Sequence, residues 1–210
     1  MCIETDNSFS YICCNPIASI KVEANLITKT YPDHTFETKT VESDMVTAEI
    51  DAFTKQFETQ NDKTFKFINN GMFGFTAYDA VKYFEDITIS KKDHSIEIPD
   101  MYYAVYQNII AINHFKNEAY LFAHCFERES NIEAIDHLIK MQSFSSYDFK
   151  SKGKISSNLT DKAFKSNVDL AKKHCNRGDV FQLVLSKKFQ QDFKGDDFNV
   201  YRALRSINPS

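Results

Sequence analysis

The chain has 210 residues, 42% of them hydrophobic, enough for one large domain or one and a half small ones around a sizeable core. Charged residues make up 26% with a net charge of −4, and the lysines are scattered, so the footprint of a nucleic-acid binder is absent from the sequence. No stretch approaches the roughly 20 apolar residues that span a bilayer, and the acidic first six residues form no signal segment; no membrane contact and a cytoplasmic location are expected.

The five cysteines, Cys2, Cys13, Cys14, Cys125 and Cys175, are odd in number and form no C-x-x-C pair, which points to reduced thiols. The 19 Phe and 10 Tyr suit a β-rich core. Residues 8–14 and 17–23 read as strands separated by a turn at Asn15-Pro16. A polar break at Tyr31-Pro32-Asp33-His34 parts two further short extended segments. Ser43 has the character of a helix N-cap, and Val46, Ile50, Phe53 and Phe57 follow at spacings that put one apolar stripe on a helix.

Gly71 and Gly74 lie in an aromatic run, which predicts a strand where two positions lack Cβ because neighbours crowd them. Asp79 is placed to cap a short helix ending at Phe84. Residues 101–114 and 118–126 form a predicted hairpin around Lys116-Asn117, and 131–141 a helix carrying Ile132, Ile135, Leu138 and Ile139 on one side. Residues 143–157 are polar and serine-rich and read as a linker. Thr160 caps a helix with Phe164, Val168, Ala171 and Cys175 on its apolar side, closed by Gly178. A strand is predicted over 180–189 and a helix over 198–206. The expected fold class is α+β, a largely antiparallel sheet flanked by helices: a β-rich region 1–142, the linker 143–157, and a second region 158–210.

Within the predicted strand, Gln182 shares a face with Val180, Val184 and Ser186, while Phe181, Leu183 and Leu185 point the other way. An amide among apolar neighbours needs either a structural hydrogen bond or a polar site, and spacing alone leaves both open. His114, His124 and Cys125 sit on opposite arms of the hairpin but follow no zinc-ligand spacing, and no nucleophile motif accompanies any Ser, Cys or His; no metal site is expected. The glycines of 71–79 fit neither dinucleotide nor P-loop patterns and read as packing.

The run Gly178-Asp179-Val180-Phe181-Gln182-Leu183-Val184-Leu185-Ser186, then Tyr201-Arg202-Ala203-Leu204-Arg205 and Asn208-Pro209-Ser210, resembles the chorismate-using enzymes, most closely component I of anthranilate synthase. Residues 8–21 and the Gly71 to Glu85 segment are similar to the family as well. The resemblance implies the N-terminal portion of an enzyme that converts chorismate and ammonia, delivered by a glutamine amidotransferase subunit (component II), to anthranilate and pyruvate. It implies that Gln182 stands where water-using relatives carry a lysine base. Ammonia is already a nucleophile and water is not, so a glutamine there can position without competing for a proton.

The resemblance further implies that Asn208, Pro209 and Ser210 border a tryptophan feedback pocket. Its other wall is a Leu-Leu-Glu-Ser strand, which Ile3-Glu4-Thr5 echoes with a shorter spacing to Ser8, so an incomplete pocket is expected. The family's general-acid/base histidine and its Mg2+-binding glutamates are expected beyond Ser210, which predicts a truncated fold and no turnover by these residues alone. Two alternatives stand beside this reading: component I of aminodeoxychorismate synthase, and a non-catalytic regulatory or binding module.

Overall fold

The computed structural model describes residues 2–5, 8–58, 64–89, 98–126, 129–141 and 148–208. The chain divides into two compact units, residues 1–142 and 143–210. The class is α+β, as the alternation of patterns implied.

Unit 1 is an antiparallel sheet of seven strands. Its strands are β1 (Cys2–Thr5), β2 (Phe9–Glu23), β3 (Leu26–Thr30), β4 (Phe36–Thr40), β5 (Met72–Thr76), β6 (Met101–Asn113) and β7 (Glu118–Ala123). The order is β4-β3-β2-β6-β5, with β1 on β2 and β7 on β6. The turn expected at Asn15-Pro16 is instead a bulge inside one 15-residue strand. Asn15 takes φ 58°, and the β2–β6 register shifts between Pro16 and Ala18, so the strand bends and continues. Proline is tolerated there because the bulge removes the need for its missing N–H.

The β2–β3 hairpin turns through Ala24 (φ 48°) and Asn25 (φ 70°), the two-residue geometry usually given to Asn-Gly. An alanine held in the left-handed region needs outside support, and it has it. Asp100 Oδ2 accepts the Ala24 N–H at 3.0 Å, and the Tyr83 hydroxyl accepts the Asn25 N–H at 3.2 Å. Asn25 Nδ2 donates to Val41 O and to Ser43 Oγ, both at 3.0 Å. Ser43 is therefore a hydrogen-bond acceptor for this turn, not a cap: it opens a 3-10 helix, Ser43–Met45, that leads into α1 (Val46–Thr54).

Helix α1 buries Val46 and Phe53 completely against Ala18, Ile20, Val22 and Ile27 of the sheet, with Ile50 and Phe57 packed at the margin. Burying a phenylalanine of this kind is worth about 2–3 kcal/mol. An ion-pair group secures the same helix: Glu49 meets the buried Lys29 at 2.7 Å and also the exposed Lys39. Burial works to lower the Lys29 pKa, but Glu49 and then Glu37 outweigh it and hold the amine above its usual value.

The two glycines of the 71–76 run have different reasons. A Cβ on Gly74 would lie 1.9 Å from Tyr102 O, so here the crowding is real. Gly71 has open space around it and φ +114°; it is required by backbone conformation. Asp79 lies in the first turn of the 3-10 helix Tyr78–Tyr83, whose N-cap position is Ala77 and carries no side-chain cap. A second cluster joins Tyr11 and Cys13 of β2, Phe73 of β5, and Ala104, Tyr106, Ile109 and Ala111 of β6, closed by rings such as Phe9 and Phe67 at 4.7 Å. The inward positions of β6 change parity between Tyr106 and Ile109, level with the β2 bulge. The predicted 101–126 hairpin is present as β6 and β7, and α2 (Ile132–Lys140) follows with Leu138 and Ile139 exposed.

Unit 2 comprises β8 (Lys150–Ser157), α3 (Asp161–Arg177), β9 (Phe189–Lys194) and α4 (Phe198–Ile207). The expected linker 143–157 contributes a strand: β8 pairs with β9 in an antiparallel ribbon. Its composition hides this because every residue of both strands is exposed. The helix signals of α3 are as read. Thr160 Oγ1 accepts the Ala163 N–H at 3.2 Å, and Gly178 closes the helix at φ 78°. No residue of unit 2 is buried among the described residues.

Candidate functional site

The segment with the family-like sequence follows α3 directly. It is not a strand over 180–188; pairing begins only at Phe189, opposite Ser157. A strand needs a neighbour to take its N–H and C=O groups, and among the described residues none runs beside 180–188. The alternation within the segment survives nonetheless. Leu183 and Leu185 line a cleft of about 410 Å³ with Val168, Ala171 and Cys175 of α3. Gln182 is of the other parity and is exposed, as is Val184. Phe181, expected beside Leu183, is fully exposed at the segment's start.

Both ends of this segment are tied. At its start, Gly178 N–H donates to Cys175 O at 3.0 Å and Asp179 N–H to His174 O at 3.1 Å, turning the chain back along the helix. The Asp179 carboxylate then accepts from Arg177 Nη2 at 2.6 Å and Nε at 3.1 Å, and meets His174 Nδ1 at 2.8 Å. At its end, Lys187 pairs with Asp161 in the first turn of α3, and this lysine holds the Asp161 carboxyl below its usual range. Asn158 brackets the next residue, its Oδ1 accepting the Lys188 N–H at 2.9 Å and its own N–H donating to Lys188 O at 3.3 Å. His174, Arg177, Asn158, Asp161 and Lys187 were not singled out from sequence. An acid just past a C-cap glycine, with Arg and His in the preceding turn, was the available signal.

Asn208 is the C-cap of α4, its N–H donating to Leu204 O at 2.8 Å. Pro209 and Ser210 lie outside the described residues. Cys2–Thr5 pairs antiparallel with β2, Glu4 opposite Ser10, so the Ile3-Glu4-Thr5 echo does lie on a strand. His114 accepts or donates a 2.6 Å bond with Ser10 Oγ, whereas His124 Nδ1 bonds Tyr106 O at 3.0 Å. They stand at opposite ends of the six-residue β7, about 20 Å apart at the rise of a strand, and share no site. Among the described residues no group of three His, Cys, Asp or Glu side chains is placed to hold a metal ion. A cleft of about 400 Å³ in unit 1, beside the β2 bulge at Ile17 and Val105, is lined by His124 and Cys125 but by neither Gln182 nor Asn208.

The family model described as chorismate binding enzyme matches residues 6–210. The chain belongs to the chorismate binding enzyme family. Among curated relatives of this family, anthranilate synthase component 1 of Lactococcus lactis subsp. lactis (strain IL1403) is 29% identical over 225 residues, covering 99% of this chain and 46% of the relative. Aminodeoxychorismate synthase component 1 of Bacillus subtilis (strain 168) is 27% identical over 207 residues, covering 93% and 43%. The crystal structure of anthranilate synthase component I from Streptococcus pneumoniae TIGR4 superposes with a TM-score of 0.63 at 24% identity, over 100% of this chain and 48% of that one, a likeness of fold. The chain thus spans about half the length of the relatives it matches. No helix among the described residues is long and apolar enough to cross a membrane.

Proposed function

We propose that this chain is the N-terminal part of an anthranilate synthase component I. The whole protein is a lyase that joins chorismate and ammonia into anthranilate, releasing pyruvate and water. The observation that carries this reading is the match of residues 6–210 to the chorismate binding enzyme family, together with the Lactococcus relative aligned along 99% of the chain. Ammonia comes from a glutamine amidotransferase subunit, component II, and the protein works in the cytoplasm. Magnesium, held by glutamates outside this chain, offsets the charge on the chorismate carboxylate when bound.

What the present residues contribute is positioning. Gln182 presents an amide on the side of its segment facing away from α3, where it orients the nucleophile or ring without accepting a proton that ammonia has no need to give up. Asn208 is assigned to the rim of a tryptophan feedback pocket, with Pro209 and Ser210 following it in sequence.

The Bacillus relative favours a second reading, aminodeoxychorismate synthase component I, which retains the enolpyruvyl group. The full-length natural protein decides between them. Incubated with chorismate, ammonium salt and magnesium, it is expected to form fluorescent anthranilate and equimolar pyruvate. Aminodeoxychorismate without pyruvate would give the second reading, and no consumption of chorismate would overturn both.

A further inference from the structure

We infer that Asp179 and Lys187 act as a two-point register clamp on residues 180–186, which makes Asp179 a positioning residue for Gln182; this rests on the proposed role of Gln182. Extended chain has a period of two, so a slip of one residue exchanges the two faces. It would carry Gln182 toward α3 and bring Leu183 outward. Apolar packing opposes that slip weakly here, because Leu183 and Leu185 remain about two-fifths exposed in their cleft and none of the described residues of unit 2 is buried.

The ties at the two ends define the register instead. One Asp179 oxygen collects Arg177 Nε, Arg177 Nη2 and His174 Nδ1, all from the last turn of α3, immediately after two backbone bonds fix Gly178 and Asp179. Eight residues later, Lys187 is paired to Asp161 in the first turn of the same helix, and its neighbour Lys188 is bracketed by Asn158. The segment is held against α3 from the C-terminal turn to the N-terminal turn. Each tie is a surface interaction of little worth to stability. Its consequence is geometric, because two fixed ends separated by a set number of residues admit one parity between them.

Cross-linking in the 210-residue chain tests the clamp without reference to catalysis. Cys175 and Leu183 line the same cleft, so Leu183→Cys is expected to form a disulfide with Cys175 under mild oxidation at least tenfold faster than Gln182→Cys, as read by peptide mapping. Adding Asp179→Ala should reduce that preference below threefold with melting temperature unchanged, and Asp179→Glu should restore it. Arg177→Gln, which removes the main donor and leaves the carboxylate, should weaken the preference in the same direction. Equal coupling of the two cysteines, or a preference unaffected by Asp179→Ala and Arg177→Gln, would overturn the clamp. A preference lost only in step with unfolding would assign Asp179 to stability and also overturn it. Failure of the Gln182 role reads out separately: Gln182→Ala would leave the ammonia-dependent rate of the full-length enzyme intact while the cross-linking preference stands.

Discussion

Gly74→Ala is the sharpest structural test of the unit 1 sheet. The added methyl would sit 1.9 Å from Tyr102 O, 2.8 Å from Tyr102 C and 2.6 Å from Tyr103 Cα. All three are backbone atoms of β6, so no side chain can swing away, and β5 must move off its neighbour. β5 holds five residue pairs with β6, of which Gly74↔Tyr103 is central. Displacing half of that ladder loses two or three backbone hydrogen bonds at about 1 kcal/mol net each. Partial exposure of Phe73, now 7% exposed, adds roughly 1–2 kcal/mol. The sum is about 3–5 kcal/mol, or a fall in melting temperature of roughly 10–15 °C for a unit of this size. Gly71→Ala, with open space but an unfavourable φ, should cost only about 1–2 kcal/mol. Urea titration followed by tyrosine fluorescence reads the difference, because Tyr11, Tyr31, Tyr78, Tyr83, Tyr102, Tyr103, Tyr106 and Tyr120 all belong to unit 1. A Gly74→Ala variant within 1 kcal/mol of the wild type would refute the close β5–β6 approach.

Other outcomes follow from the same geometry. Burial of Asp100 works to raise its carboxyl, but hydrogen bonds from Tyr83, Lys82 and Ala24 N–H outweigh it and hold the pKa below the usual carboxylate range. That depressed value contributes stability above the unfolded pKa of about 3.9, lost as pH falls through the folded value. Asp100→Asn should therefore lower the melting temperature at pH 7 and flatten its decline below pH 4; an unchanged acid limb would contradict this. The 210 residues alone should give no anthranilate fluorescence from chorismate, magnesium and ammonium salt, and activity surviving repurification would show that the site needs nothing more. In the full-length protein, Asn208→Ala should relieve tryptophan inhibition more than it slows turnover, a split that inhibition curves at fixed chorismate resolve.

Local signals proved legible where the backbone settles its own hydrogen bonds. Thr160 and Gly178 bound α3 as read, and the stripe Val46, Ile50, Phe53 and Phe57 marks the face that packs. Signals that depend on a distant partner were not legible. Asn15-Pro16 carries turn chemistry, yet the pairing of β2 with β6 on both sides of it keeps the strand continuous. Ser43 has cap chemistry, but Asn25 claims its hydroxyl. The 143–157 segment lacks apolar alternation because β8 has no buried face, while 180–188 has alternation without a neighbouring strand. At the candidate site, the sequence points to Gln182 through its family-like run. The ties made by His174, Arg177, Asp179, Asp161 and Lys187 emerge only when both ends of α3 are seen beside the segment.

The role of Gln182 is tested most directly by Gln182→Ala in the full-length enzyme, with ammonia-dependent turnover and melting temperature measured on the same sample. Gln182 is exposed in its unit, so stability should hold. Losing one positioned hydrogen bond at the reacting centre should cost about 2–4 kcal/mol, roughly 30- to 1000-fold in turnover. Gln182→Lys should in addition yield an isochorismate-type product, because a neutral lysine offers water a base. An unchanged ammonia-dependent rate in a stable alanine variant would contradict the account and remove Gln182 from the site.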